Sequence, residues 1–352
     1  MKVGFLSIGT GTVDMREARI TLFDCGHSAE MFLTVEPSQT EWGYNQLRSM
    51  CDAIAVEGDT SVFYNLYNDT LQGKPETFES DGKLFAVTPE ITPEYIVGEL
   101  IPLLNSKTKG TKFEVVVFKT FGKTEDELKV MLKDYQKGRS KVKFGFFPEF
   151  LECEVHARCS SKIPKTELTE ISDKLNDILY QCTYSYERIT IAERVAQMLT
   201  EQKLKLKLAE SFTGGALARE FTKIPGASNY LVEGLVTYAI SSKIKRLGVP
   251  AQVISEKGVV SSDTAYHMAA GLIASGDCDI AIATTGNAGP TTGGNESVGT
   301  CFIALGDQKE VHTMRYTFDG SRDMVTSRGV KSALFLLYSY LDHRSLMNAD
   351  GQ

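Results

Sequence analysis

The chain has 352 residues, of which 42% are hydrophobic and 24% charged, with 30 Gly and 10 Pro; this is enough for two or three domains and unlike a disordered, collagen-like or low-complexity polymer. Its 38 Lys and Arg against 45 Asp and Glu leave a net charge of -7, so the footprint that grips nucleic-acid phosphates is missing, and no dense basic block restores it locally. The best uncharged apolar run, Ser332 to Leu341, is half a bilayer span, and seven Cys without a C-x-x-C pair point to free thiols in a reducing cytoplasm, so no membrane partner is expected.

The opening run Val3 to Ile8 reads as a buried strand rather than a signal peptide, because its apolar core is short and no small-residue cleavage site precedes Asp14 and Arg16. With Ala53 to Val56 and Leu84 to Val87 it predicts strands alternating with polar stretches, a small α/β domain over 1–108. An apolar helix-like stretch, Tyr95 to Leu104, gives way to the polar, basic Asn105 to Lys112, where a boundary is expected.

Between 109 and 186, Thr124 and Glu127 form a capping box ahead of Leu128, Met131, Leu132 and Tyr135. A second helix runs from about Pro164 with Leu168, Ile171, Leu175, Ile178 and Leu179 at helical spacing. Between them Leu151, Cys153, Val155, Ala157 and Cys159 alternate with Glu152, Glu154, His156 and Arg158, the period-2 pattern of a half-buried strand. That alternation also dissolves a tempting metal site, since Cys153 and Cys159 share one face and His156 takes the other. The region reads as a small β-α-β-β-α domain.

A capping box at Thr190 and Glu193 opens a helix with Ile191, Val195, Met198 and Leu199 inward, and a third domain over 187–345 is expected from there. Residues 346–352 lack periodicity and read as a disordered tail. Within this domain Leu204 to Ala209 predicts a strand, Glu210 to Gly215 a tight turn and Ala216 to Glu220 a helix start, which puts Ser211, Thr213 and several unpaired N–H groups at the positive end of a helix. Either hydroxyl is also an ordinary N-cap. Asp279 to Thr284 is a buried strand that breaks into the glycine-rich Thr285 to Gly294 before Val298 to Leu305 resumes as strand. In an open α/β sheet ligands sit beyond the carboxyl ends of strands, so both turns are placed to share one crevice. Tyr238 and Lys243, five residues apart, converge only if Tyr238 ends a strand and Lys243 opens the next helix, with Ser241 and Ser242 as N-cap candidates. A desolvated Lys beside a Ser is a competent general base, and a Tyr can relay or position the proton.

In order and spacing, Glu210 to Gly215, Gly234 to Tyr238 with Lys243, Thr285 to Pro290, Val298 to Thr300 and Gly320 to Arg322 resemble the C-terminal domain of the CinA (competence/damage-inducible protein) family, over about residues 187 to 342. The resemblance implies a three-layer α/β/α sandwich with a mixed sheet. It also implies a nicotinamide-nucleotide amidase that converts nicotinamide mononucleotide to nicotinic acid mononucleotide and ammonia, a step of NAD salvage, without metal or other cofactor. Carried over position by position, Ser211 is the nucleophile, Lys243 its base and Tyr238 an auxiliary proton carrier; Thr213, Gly214 and Gly215 line the oxyanion or phosphate side, and Thr285, Gly286 and Arg322 close the pocket. The chain departs from the family at Phe212, where a small residue or Cys is usual, at Ala239 and Ile240, and at Asn287. These departures keep alive a rival reading, a non-catalytic nucleotide-binding or regulatory protein. Thr120 to Leu128 resembles the KH-type α+β spacer domain of full-length members. The N-terminal region resembles their molybdopterin-binding-like domain in outline only, shortened and with Val56 to Asp59 where a glycine-rich loop and acidic residues are expected, so the family's metal-dependent ADP-ribose pyrophosphatase is not expected. Family members commonly self-associate, which implies a homodimer.

Overall fold

A computed structural model describes residues 1–67, 74–108, 112–137, 141–291 and 296–349, with the side chains of 345–349 left aside. The chain falls into two units, Met1–Glu187 and Arg188–Gln352, and among the described residues it forms three sheets.

In the first unit, continuous apolar runs make strands that are buried on both faces. The elements are β1 (Lys2–Ile8), α1 (Met15–Asp24), β2 (Ser28–Val35), α2 (Thr40–Met50), β3 (Ala53–Gly58), α3 (Thr60–Tyr64), β4 (Thr77–Ser80), β5 (Lys83–Val87) and α4 (Pro93–Tyr95), with a wide helical turn over Ile96–Leu100 running into α5 (Ile101–Lys107). The sheet order is β2-β1-β3-β5-β4, with β4 antiparallel to β5 and the other pairs parallel. Side chains alternate across it: Val3, Phe5, Ala53, Ala55, Leu84 and Ala86 pack with Ala18 and Leu22 of α1, whereas Leu6, Ile8, Ile54, Val56, Phe85 and Val87 pack with Leu47 of α2. The sequence left out β2 and β4, whose mixed polarity reflects their place at the two edges of the sheet.

The second sheet, β7-β8-β6-β9, is antiparallel throughout and comprises β6 (Phe113–Phe121), β7 (Val142–Glu149), β8 (Glu152–Ser160) and β9 (Thr183–Ser185), with α6 (Glu125–Gln136) and α7 (Lys165–Leu179). The predicted capping box opens α6, with both Thr124 and Glu127 engaged. Residues 109–111 of the expected linker lie outside the described residues. One expectation changes here. β8 is buried on both faces: Cys153, Val155, Ala157 and Cys159 face α6 and α7, and Glu154, His156 and Arg158 are covered as well. The charged row is tolerated because each member has a partner. His156 Nδ1 lies 2.7 Å from Asp24 and Nε2 2.8 Å from Glu154, while the Arg158 guanidinium lies over the rings of Phe23 and Phe113. Burial alone would favour the neutral His156 ring; the two carboxylates outweigh it and raise its pKa.

The second unit holds α8 (Ile191–Glu201), β10 (Leu206–Glu210), α9 (Ala216–Thr222), β11 (Leu231–Val236), α10 (Ile240–Leu247), α11 (Ala251–Lys257), α12 (Ser262–Ala274), β12 (Ile280–Gly286), β13 (Thr300–Gly306), β14 (Val311–Thr317) and α13 (Arg322–Ala349). Its sheet, β11-β10-β12-β13-β14, is mixed: β11, β10 and β12 are parallel and the last two strands antiparallel. Small residues on one face, Ala209, Ala281, Ala283 and Ala304, let α12 approach closely and share a core with Leu247 and Ile254. The tail differs from expectation, since α13 continues as helix to Ala349; residues 350–352 lie outside the described residues. Among the described residues no helix is long and apolar enough to cross a membrane.

Candidate active site

β10 ends at Glu210, and the chain reverses through Ser211 to Gly215 into α9 with Gly214 at φ 62° and Gly215 at φ 97°, values that only glycine adopts without strain. Ser211 and Thr213 are buried, and the Thr213 hydroxyl meets that of Thr284 at 2.8 Å, tying this turn to the end of β12. The helix start is less open than the sequence suggested. The buried Glu210 carboxylate accepts from the amides of Gly215, Leu217 and Ala218 at 2.9, 3.1 and 2.8 Å. The Gly214 and Ala216 amides are given to the carbonyls of Ser211 and Thr213. Glu210 thus acts as an internal cap, a role that sequence reasoning missed although the residue stands at the head of the turn. Among the described residues no acceptor takes the amides of Phe212 or Thr213, next in the chain to Ser211.

Lys243 lies in the first turn of α10 and is fully buried. Its ammonium donates to Ser211 Oγ at 2.8 Å, to the carbonyl of Thr237 at 2.7 Å and to that of Tyr238 at 3.1 Å. No carboxylate among the described residues stands within ion-pair distance of Nζ. Desolvation without a counter-charge lowers its pKa to about 8. The neutral amine has two hydrogens for the two carbonyls and one lone pair left for the Ser211 hydroxyl. The link between β11 and α10 makes this possible, but Ala239, not Ser241 or Ser242, occupies the N-cap position.

Tyr238 is placed differently from a proton carrier between Ser and Lys. Its side chain is 61% exposed and its hydroxyl receives a hydrogen bond from Arg322 Nη2 at 3.1 Å, while its main-chain carbonyl holds Lys243. Arg322 Nη1 donates to the carbonyl of Gly289 at 2.7 Å, so Arg322 bridges the glycine-rich loop and Tyr238. Thr285 spends its hydroxyl on the carbonyl of Val259, and Gly286 packs against Cys301 and Phe212. Residues 292–295 of that loop lie outside the described residues.

Two departures have structural explanations. Asn287 braces its loop, accepting from the Gly289 amide and donating to the carbonyl of Glu296. Phe212 turns into a small core with Ala288, Cys301 and Val325, where Gly286 and Gly329 leave room for its ring. A Cβ on Gly329 would stand 2.5 Å from Phe212 Cζ. Gly329→Ala is therefore expected to cost about 1–3 kcal/mol by overpacking. In denaturant unfolding, adding Phe212→Leu should recover part of that loss; strictly additive losses would exclude the contact.

Residues 188–341 match the model of the CinA C-terminal domain. The chain belongs to the CinA family. A CinA-like protein from Geotalea daltonii is 36% identical over 252 residues, covering 70% of this chain and 61% of the relative. A putative competence-damage inducible protein from Caldicellulosiruptor bescii is 33% identical over 268 residues, covering 74% and 64%. This CinA-family chain spans between 55% and 64% of the length of curated relatives that it matches. The crystal structure of a CinA superfamily protein from Klebsiella pneumoniae is 30% identical and covers 44% of this chain and 96% of its own, with a TM-score of 0.43.

Proposed function

We propose that the second unit is a serine amidase that hydrolyses the carboxamide of nicotinamide mononucleotide to nicotinic acid mononucleotide and ammonia. The observation that carries this reading is the 2.8 Å contact between Lys243 Nζ and Ser211 Oγ, made by a buried lysine with no carboxylate partner among the described residues. The neutral amine takes the Ser211 proton as Oγ attacks the carboxamide carbon. The oxyanion that forms is met by the amides of Phe212 and Thr213, which have no acceptor among the described residues. On collapse the C–N bond breaks, the Lys243 ammonium returns its proton to the leaving nitrogen, and ammonia departs from an acyl-Ser211 ester. Water, deprotonated by the same amine, attacks the ester, releases the carboxylic acid and restores Ser211.

Tyr238 and Arg322 serve as a positioning pair in this reading, the carbonyl of Tyr238 aiming Lys243 and its hydroxyl fixing Arg322 at the pocket wall. Ammonia release by the purified chain, unchanged by a chelator, tests the proposal. Tight nucleotide binding without turnover across a panel of pyridine nucleotides would favour the binding-protein rival.

The first unit is proposed to act as a scaffold without ADP-ribose pyrophosphatase activity. Pyrophosphate cleavage needs several oxygen ligands around a metal. Of the acidic pair at the end of β3, Glu57 has both oxygens taken up by protein donors and Asp59 binds Ser61. The full chain with magnesium or manganese should leave ADP-ribose intact; release of AMP would reverse the assignment.

A further inference from the structure

The order of the first sheet places β2 on one side of β1 and β3 on the other, so the chain changes direction across the sheet between β1 and β3. In open parallel sheets such a point, at the carboxyl ends of the strands, is where ligands bind. Here Glu57 of β3, opposite Ser7 of β1, occupies it with a fully buried side chain. Five donors converge on its carboxylate. Oε1 accepts from Ser7 Oγ at 2.6 Å, the Thr12 amide at 2.8 Å and the Val13 amide at 3.4 Å; Oε2 accepts from Thr12 Oγ1 at 2.5 Å and the Ile91 amide at 2.9 Å.

These donors come from β1, from the loop that follows it and from the segment before α4. Among the described residues no Lys, Arg or His makes an ion pair with Glu57, so the charge is held by neutral dipoles alone, as in a backbone nest that binds an external anion.

We infer that this crevice is an anion-binding nest closed by the chain's own carboxylate, and that removing Glu57 converts it into a site for a small external carboxylate or phosphate. Burial pushes the Glu57 pKa up, and the bonds from Ser7, Thr12 and the amides of Ile91 and Thr12 bring it below the ordinary range, so the occupant is an anion at neutral pH. The consequence for the intact protein is that the first unit takes no oxyanion at this crevice, because the tethered carboxylate is present at a concentration no free ligand matches.

The test uses the full chain, wild type and Glu57→Ala, with thermal unfolding followed by the fluorescence of Trp42, the single tryptophan, which lies on α2 beside this sheet. In sodium chloride the alanine variant should melt several degrees below wild type. Replacing chloride by acetate at equal ionic strength should raise its Tm in a saturable manner, with wild type unmoved, since a ligand that binds only the folded state stabilises it. Inorganic phosphate, tried in parallel, reports whether the nest also admits a tetrahedral anion. Glu57→Gln, which keeps the nest filled but loses the charge, should not respond to acetate. If the alanine variant does not fold in chloride, its refolding yield in acetate against chloride gives the same reading. Equal behaviour of Glu57→Ala in the two salts, by melting or by refolding, would overturn the inference.

Discussion

Ser211→Ala should lower the kcat for ammonia release from nicotinamide mononucleotide by at least about 10⁴-fold while leaving the fold intact, as expected when the nucleophile of a covalent mechanism is removed. The substitution deletes one hydroxyl and its hydrogen bond to Lys243, a loss of about 1 kcal/mol. Lys243 keeps both carbonyl acceptors, so the site is not left with a stranded amine. Residual turnover, if seen, would report water activated by Lys243 at the amides of Phe212 and Thr213. Ser211→Cys keeps a nucleophile at the same place and should trap acyl-enzyme visible by intact mass, which Ser211→Ala cannot form. Wild-type rates in the alanine variant would take the nucleophile assignment away and with it the reading of the turn.

Much of the fold was legible because its signals are local. The capping boxes at Thr124 and Thr190 stand where hydroxyl and carboxylate spacing placed them, and the apolar runs ending at Ile8, Val56 and Val87 became the parallel strands of the first sheet. The pairing of Ser211 with Lys243 was legible only through the family resemblance, since the strand-to-helix argument concerned Tyr238 and Lys243. Features that depend on distant partners were not. Glu154, His156 and Arg158 read as the wet face of a strand until Asp24, Lys119 and Phe23 cover them. Glu210 read as the head of a turn and Glu57 as the polar end of a strand, and only the chain that folds back on each shows a buried carboxylate satisfied by amides. Tyr238 was assigned by its hydroxyl, yet its carbonyl makes the contact to Lys243, and backbone roles leave no trace in residue type. The continuation of α13 to Ala349 illustrates the cooperativity of helices, since propagation from a packed segment needs no periodic pattern.

The kcat/KM of wild type should rise about tenfold per pH unit below pH 8 and level off above it, because only the neutral form of Lys243 accepts the Ser211 proton and its pKa is lowered to about 8. Lys243→Arg, charged throughout this range, should be inactive at every pH. The same shift makes a stability statement whose sign runs opposite to a paired lysine. An unfolded lysine titrates near 10.4, so between pH 8 and that value the unfolded chain binds the extra proton and folded stability rises with pH; below pH 8 the full penalty of a buried charge applies, about 3 kcal/mol by the size of the shift. Lys243→Met removes the penalty but leaves the carbonyls of Thr237 and Tyr238 without their donor, which returns part of the gain. The net expectation is an inactive variant about 1–2 kcal/mol more stable than wild type at pH 7, the difference shrinking as the pH is raised from 8 toward 10. Calorimetry across that range, set beside the activity profile, separates the two roles of the residue. A flat rate profile or an active arginine variant would exclude Lys243 as the base, and a methionine variant less stable than wild type at pH 7 would mean that its three hydrogen bonds outweigh the cost of burying its charge.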